Sequence, residues 1–146
     1  MFKELLKKQR VTYVDKVSNW EEAILMAAKP LVRDGAITEV YIDAMIQSVK
    51  DHGPYIVIAP NIAMPHAQGG TGVHENSFAF MKVGQPVHFS DSSEHDAQLI
   101  FVLAGIDSNS HIGLLQAFVE SVSDDEFVSK LLETKNVADL EKLVNC

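Results

Sequence analysis

Cysteine is almost missing: one residue, Cys146, stands at the last position. That excludes a disulfide framework within the chain and a cysteine-based zinc site, and a cysteine nucleophile there would lack a held geometry. No stretch approaches the roughly 18 uncharged apolar residues a membrane-spanning helix needs. Met1–Lys8 carries charges every few residues and no apolar run, unlike a secretory leader, so a reduced cytoplasmic setting is expected. Basic residues are scarce, 12 Lys and Arg against 20 Asp and Glu, for a net charge of −8. They are also unclustered, which argues against nucleic acid and anionic membrane as partners. Residues 74–146 hold 4 basic and 12 acidic side chains, whereas residues 1–73 hold 8 of each. The acidic half serves solubility or docks a basic partner. No linker, low-complexity tract or repeat at a period of roughly 20–50 residues interrupts the chain.

What is present is an ordinary globular composition, 47% apolar and 22% charged over 146 residues, the size of one domain. Phe2 to Gln9 reads as a short helix and Val11–Val14 as a strand. Ser18 with Glu21 forms a capping box for a helix with Trp20, Ala23, Ile24, Ala27, Ala28 and Leu31 on one face, fading at Asp34-Gly35. Thr38 caps a second helix, with Tyr41, Met45, Ile46 and Val49 at helical spacing and Gly53 as its stop. The period then changes. Tyr55–Ala59 reads as a buried strand, Ser77–Val83 as another, Val87–Phe89 as a short third and Gln98–Ala104 as the clearest of all. Three helices follow, capped by Ser110, Ser123 and Asn136. The expectation is a single α/β domain over residues 1–146, a mixed central sheet flanked by helices.

Several familiar sites are ruled out. Gly69-Gly70-Thr71-Gly72 lacks the Lys-Ser/Thr of a phosphate-binding P-loop and reads as a flexible loop. There is no G-x-S-x-G elbow. The six histidines, His52, His66, His74, His88, His95 and His111, form no H-x-x-x-H pair on a helix, so no metal or other cofactor is expected.

Two segments carry candidate chemistry. Ala59-Pro60-Asn61-Ile62-Ala63-Met64-Pro65-His66-Ala67 leaves the end of an expected strand, where α/β proteins place ligand sites. Pro60 and Pro65 stiffen it, so His66 is presented on a backbone with little freedom. A histidine held in this way suits a nucleophile once a partner orients one nitrogen; the plainer reading is a histidine that finishes a loop by bonding backbone. Ser108-Asn109-Ser110-His111 follows the clearest strand and opens a helix. There His111 and Ser110 would join free N–H groups around a bound anion, or simply form a helix cap with a half-exposed histidine beside it.

Taken together, these segments resemble the IIA components of the sugar phosphotransferase system, in the mannitol/fructose class. Ile62-Ala63-Met64-Pro65-His66 matches the family's phosphorylatable-histidine motif, and Asn109-Ser110-His111-Ile112 matches its second histidine. Gly53-Pro54-Tyr55-Ile56-Val57-Ile58-Ala59-Pro60 looks most like the ascorbate subgroup. The resemblance implies a cytoplasmic phosphocarrier. His66 would accept a phosphoryl group from phospho-HPr and pass it to a cysteine of a IIB component, which serves a IIC permease, with L-ascorbate as the candidate carbohydrate. His111 would steady the phosphate in flight. Relatives in the mannitol branch place an arginine near the end of the helix before the first motif; here that stretch reads Ser48-Val49-Lys50-Asp51, so Lys50 is the candidate substitute, a point charge without the guanidinium fork. Two other readings stand beside this one: a regulatory relative that signals through its phosphohistidine, and a metal-dependent hydrolase using scattered histidines.

Overall fold

The continuous apolar run near residue 100 becomes the middle strand of a sheet covered on both faces. In a computed structural model, which describes residues 1–67 and 71–145, this strand is β5 (Asp96–Ala104), and every residue from Leu99 to Ala104 is fully buried. Its partners are β1 (Val11–Val14), β2 (Val57–Ala59), β3 (Asn61–Ala63) and β4 (Ser77–His88), in the order β1-β4-β5-β3-β2. β1 is parallel to β4 and β3 to β5, while β4–β5 and β2–β3 are antiparallel, so the sheet is mixed as expected.

Among the described residues, six helices cover the sheet: α1 (Phe2–Lys7), α2 (Trp20–Arg33), α3 (Glu39–His52), α4 (Ser108–Val122), α5 (Asp125–Glu133) and α6 (Val137–Val144). Side chains alternate across a strand, and the two cores follow that alternation. Ala79, Met81 and Val83 of β4 pack with Ile100 and Val102 against α2 and α3. Phe80 joins Leu99, Phe101 and Leu103 on the opposite face, beneath Phe2, Phe118, Leu131 and Leu140 from the other helices. Three layers result, α/β/α.

The structure departs from the sequence reading in several places. Tyr55–Ala59 is not a buried strand: only Val57–Ala59 is extended, at the sheet edge, and Ile58 is 44% exposed. Pro60 and Asn61, the latter at φ 68°, form the tight turn of a β2–β3 hairpin, so the stiff segment begins as the short inner strand Asn61–Ala63 before it leaves the sheet toward His66. Val87 and His88 extend β4 past a register shift after Lys82 instead of forming a separate strand, and Phe89 lies just beyond its end. α1 stops at Lys7, short of Gln9, which takes φ 58°.

Three caps also move. Asn19, Asp107 and Asp124 cap their helices in place of Ser18, Ser110 and Ser123. The capping box survives one residue along: Asn19 accepts from Glu22 N–H, and the Glu22 carboxylate accepts from Ser18 N–H. Apolar spacing fixes the buried face of a helix but not its first residue, and a nearby Asx oxygen caps at least as well as a hydroxyl. Thr38 and Asn136 hold the expected cap positions, but only Asn136 caps with its side chain, accepting from Asp139 N–H; the Thr38 hydroxyl makes no capping bond. The glycine loop lies partly, and Cys146 wholly, outside the described residues.

Candidate functional site

Because β3 and β5 are parallel neighbours, their carboxyl ends lie side by side. From one end the chain runs through Met64 and Pro65 to His66; from the other it passes Gly105 and enters α4 at residue 108. This is the edge of an α/β sheet where ligand sites form. The first exit is tied on two sides: Met64 N–H donates to Ile56 O at 2.8 Å, and Leu103 N–H donates to Pro65 O at 3.0 Å. Tyr41, fully buried on α3, holds the next peptide. Its hydroxyl donates to Leu103 O at 2.6 Å and accepts from Ala67 N–H at 3.1 Å. Burial pushes that phenol up to about 12, so it stays protonated and able to do both.

His66 is half-buried, with Nδ1 2.7 Å from Met64 O. A carbonyl oxygen only accepts, so Nδ1 carries the proton and Nε2 presents its lone pair. Two rings pack around this imidazole. Tyr55 stands at 83° to it with centroids 5.3 Å apart, and His111 lies 5.3 Å away, tilted by 48°.

His111 is the fourth residue of α4, and its own N–H closes a helical bond to Asp107 O at 2.9 Å. Gly105 makes room for it: a Cβ at that position would stand 2.9 Å from His111 Cα and 3.0 Å from its backbone nitrogen. The His111 Nδ1 is sealed inside with no partner among the described residues. Burial first, and then its neighbour His66, hold this imidazole below the ordinary histidine range, which favours the neutral ring. A neutral imidazole has one N–H, and sealing in a bare lone pair costs less than sealing in a bare donor. The proton therefore belongs on Nε2. Side by side, the two rings thus offer opposite functions, a lone pair on His66 Nε2 and a donor on His111 Nε2.

The other two candidates go elsewhere. Ser110 does not cap α4; its N–H donates to Asp107 Oδ1 at 2.7 Å. Bonds from Ser110 and Asn109 hold the Asp107 carboxyl below the usual carboxylate range. The expected anion seat at this helix N-terminus is therefore already served by the chain's own acidic cap. Lys50 reaches from α3 toward α2, where Nζ lies 3.9 Å from Glu21 Oε2, and the structure gives it no contact with His66.

Sequence reasoning misses Tyr55, Ser48 and Tyr41 as site residues. Tyr41 falls at core spacing, and Tyr55 sits in an apolar run that looks like strand. The available signal was Gly53-Pro54, a break that keeps Tyr55 out of the sheet.

Residues 4–145 match the family described as the phosphoenolpyruvate-dependent sugar phosphotransferase system, EIIA 2. The ascorbate-specific EIIA component of Mycoplasma pneumoniae is 31% identical over 134 residues, 90% of this chain and 84% of that protein. The solution structure of the mannitol-specific cryptic enzyme IIA of Escherichia coli superposes with a TM-score of 0.87 at 28% identity, covering 98% of this chain and 97% of that one. The fold also recurs, at 22% identity and TM-score 0.79 over 94% of each chain, in the mannitol enzyme IIA solved in complex with phosphorylated mannitol enzyme IIB of Escherichia coli. The sheet order, the paired histidines and the length of the match leave one conclusion, that this chain belongs to the EIIA type 2 family of the sugar phosphotransferase system.

Proposed function

We propose that the protein is a cytoplasmic phosphocarrier whose acceptor is Nε2 of His66. The observation that carries this reading is the Nδ1–Met64 O bond, which leaves a lone pair on Nε2 in a half-buried, backbone-fixed ring. In the transfer, Nε2 forms a bond to phosphorus as the N–P bond of phospho-HPr breaks, and the donor histidine leaves with its electron pair. The Nδ1 proton stays in place, shared with Met64 O, so the phosphorylated ring carries positive charge. That charge makes the imidazole a good leaving group for onward transfer to a cysteine thiolate of a IIB component. A phosphoryl group in flight spreads charge over its equatorial oxygens, and His111 Nε2–H is placed to donate to one of them. Ser110 N–H donates to Asp107 and Lys50 Nζ lies 3.9 Å from Glu21, so this reading assigns the transfer to His66 and His111 alone.

The metal-dependent hydrolase reading gives way to the family match. On the carbohydrate, identities of 31% to an ascorbate relative and 28% to a mannitol one do not separate the subgroups. The Gly53–Pro60 stretch favours ascorbate. The test is incubation with phosphoenolpyruvate, enzyme I and HPr, followed by intact mass, then chase with purified IIB proteins of the ascorbate and mannitol types. One phosphoryl group per chain, discharged faster by the ascorbate IIB, is the expected result. Equal discharge by both removes the subgroup assignment, discharge by neither favours the regulatory reading, and no labelling overturns the phosphocarrier.

A further inference from the structure

With Lys50 turned toward α2, the question is what α3 supplies to the phosphorylatable ring. The last turns of α3 reach the His66 backbone through Ser48, and the contact is indirect. Ser48 Oγ lies 2.7 Å from Tyr55 Oη, and Tyr55 Oη lies 3.3 Å from His66 O. A carbonyl can only accept. Tyr55 therefore donates to His66 O, and Ser48 donates to Tyr55, a one-way chain from helix to histidine backbone. The Tyr55 ring adds a second hold, nearly perpendicular to the imidazole at a centroid separation of 5.3 Å, within the range of edge-to-face pairs. His52 braces the outer side of the arrangement, its ring 6.2 Å from Tyr55 at 80°.

The Nδ1–Met64 O bond fixes the tautomer of His66, but a single hydrogen bond allows the ring to tilt about it. Tyr55 grips the residue at two further places, its carbonyl and the face or edge of its ring. Tyr55 is also 41% exposed, far more than a tyrosine whose task is to fill the core. We infer that Tyr55, oriented by Ser48, is a positioning residue for His66. It sets the direction of the Nε2 lone pair toward the incoming phosphorus and does the work otherwise assigned to a cation at the end of α3. The inference rests on the proposed phosphoryl acceptance by His66.

The test compares Tyr55→Phe, Ser48→Ala and the double variant with the unaltered protein. Single-turnover phosphorylation by phospho-HPr gives the rate constant and its dependence on donor concentration; NMR of labelled histidine reports the His66 tautomer and, through Overhauser contacts with the His111 ring, its orientation. Tyr55 is exposed and Ser48 half-buried, and each change removes only a hydroxyl, so the variants fold. In Tyr55→Phe the ring packing remains and only the hydroxyl is lost. The maximal rate constant should fall about tenfold, in keeping with the cost of slight misplacement, with half-saturation by donor within about twofold. Ser48→Ala should fall by a smaller factor, and the double variant should match Tyr55→Phe, because one chain is cut in two places. The His66 tautomer should stay Nδ1–H, because Met64 O is untouched, while proton–proton Overhauser contacts between the His66 and His111 rings, 5.3 Å apart by centroid, should weaken in Tyr55→Phe as the His66 ring tilts.

An unchanged rate constant overturns the inference. So does a loss confined to donor saturation, which would make Tyr55 a docking contact. Independent, multiplicative effects of the two variants would also overturn it. If the unaltered protein does not label at all, the phosphocarrier reading has failed rather than this one. The Overhauser comparison then decides positioning by itself: weakened contacts between the two rings in Tyr55→Phe uphold it and unchanged contacts overturn it.

Discussion

His66 and His111 are chemically the same side chain, and their surroundings make them unequal. A carbonyl at 2.7 Å fixes the proton of His66 on Nδ1, while a sealed Nδ1 with no partner among the described residues drives that of His111 to Nε2. Removing the donor should slow transfer without removing the acceptor: His111→Ala should label about 10²-fold more slowly, yet still reach full occupancy, as timed intact-mass measurements would reveal. The same residue should tune stability. Its folded pKa lies below the unfolded value of 6.5, so as pH falls through 6.5 the unfolded chain takes up a proton that the native state resists. Stability is thus lost on acidification in this window and recovered as pH rises. His111→Gln, which cannot titrate, should flatten the denaturant midpoint against pH between about 5 and 7; a slope equal to that of the unaltered protein would contradict this.

At the scale of elements, two loops must deliver their histidines to one place, and each does so by a close approach. Gly105 lets α4 start almost in contact with the end of β5. Gly105→Ala would set a Cβ 2.9 Å from His111 Cα, and backbone atoms cannot swing aside as a side-chain tip can. The start of α4 must move, with a cost of about 1–3 kcal/mol by denaturant unfolding and a slower labelling rate. Tyr41 governs the other loop. Tyr41→Phe strands the buried Ala67 N–H and leaves Leu103 O one donor short, a cost of about 1–3 kcal/mol that thermal unfolding would measure.

These elements also show what was readable beforehand. β5 could be identified because both its faces are buried, so its pattern is unbroken. The helices were readable from their apolar faces, and His66 and His111 from their motifs and their places after strands. The hairpin was not. Tyr55 and Ile58 are apolar yet exposed at the sheet edge and the site, so they imitate a buried strand. Nor could spacing tell that Asp107 rather than Ser110 opens α4, since both are good caps and the choice is made by where β5 ends. The role of Tyr55 depends on a carbonyl oxygen, which has no signature in the sequence.

On the scale of the whole molecule, two cores clasp the sheet and a charged node closes one end of it. Arg10, nearly buried after α1, bonds Asp34 at 3.0 Å and Glu75 at 3.5 Å, tying β1 to the end of α2 and to the approach of β4. Hydrogen bonds from Arg33 and Arg10 hold the Asp34 carboxyl down at about 2, against an ordinary 3.8. A depressed carboxylate contributes stability above its unfolded pKa and loses it as pH falls through the folded value. Asp34→Asn should therefore lower the unfolding midpoint at neutral pH and narrow its difference from the unaltered protein as pH is taken from 3.8 toward 2. A constant difference across that range would contradict the linkage.

All of this scaffolding converges on one nitrogen. The most direct test is to phosphorylate the nitrogen-labelled protein with phosphoenolpyruvate, enzyme I and HPr and to read the phosphorus–nitrogen coupling by NMR, with His66→Gln alongside. The expected result is a single phosphohistidine on Nε2 of His66 with Nδ1 still protonated, and no acid-labile label in a folded His66→Gln. Phosphate on Nδ1, phosphate on His111, or undiminished labelling of His66→Gln would contradict it.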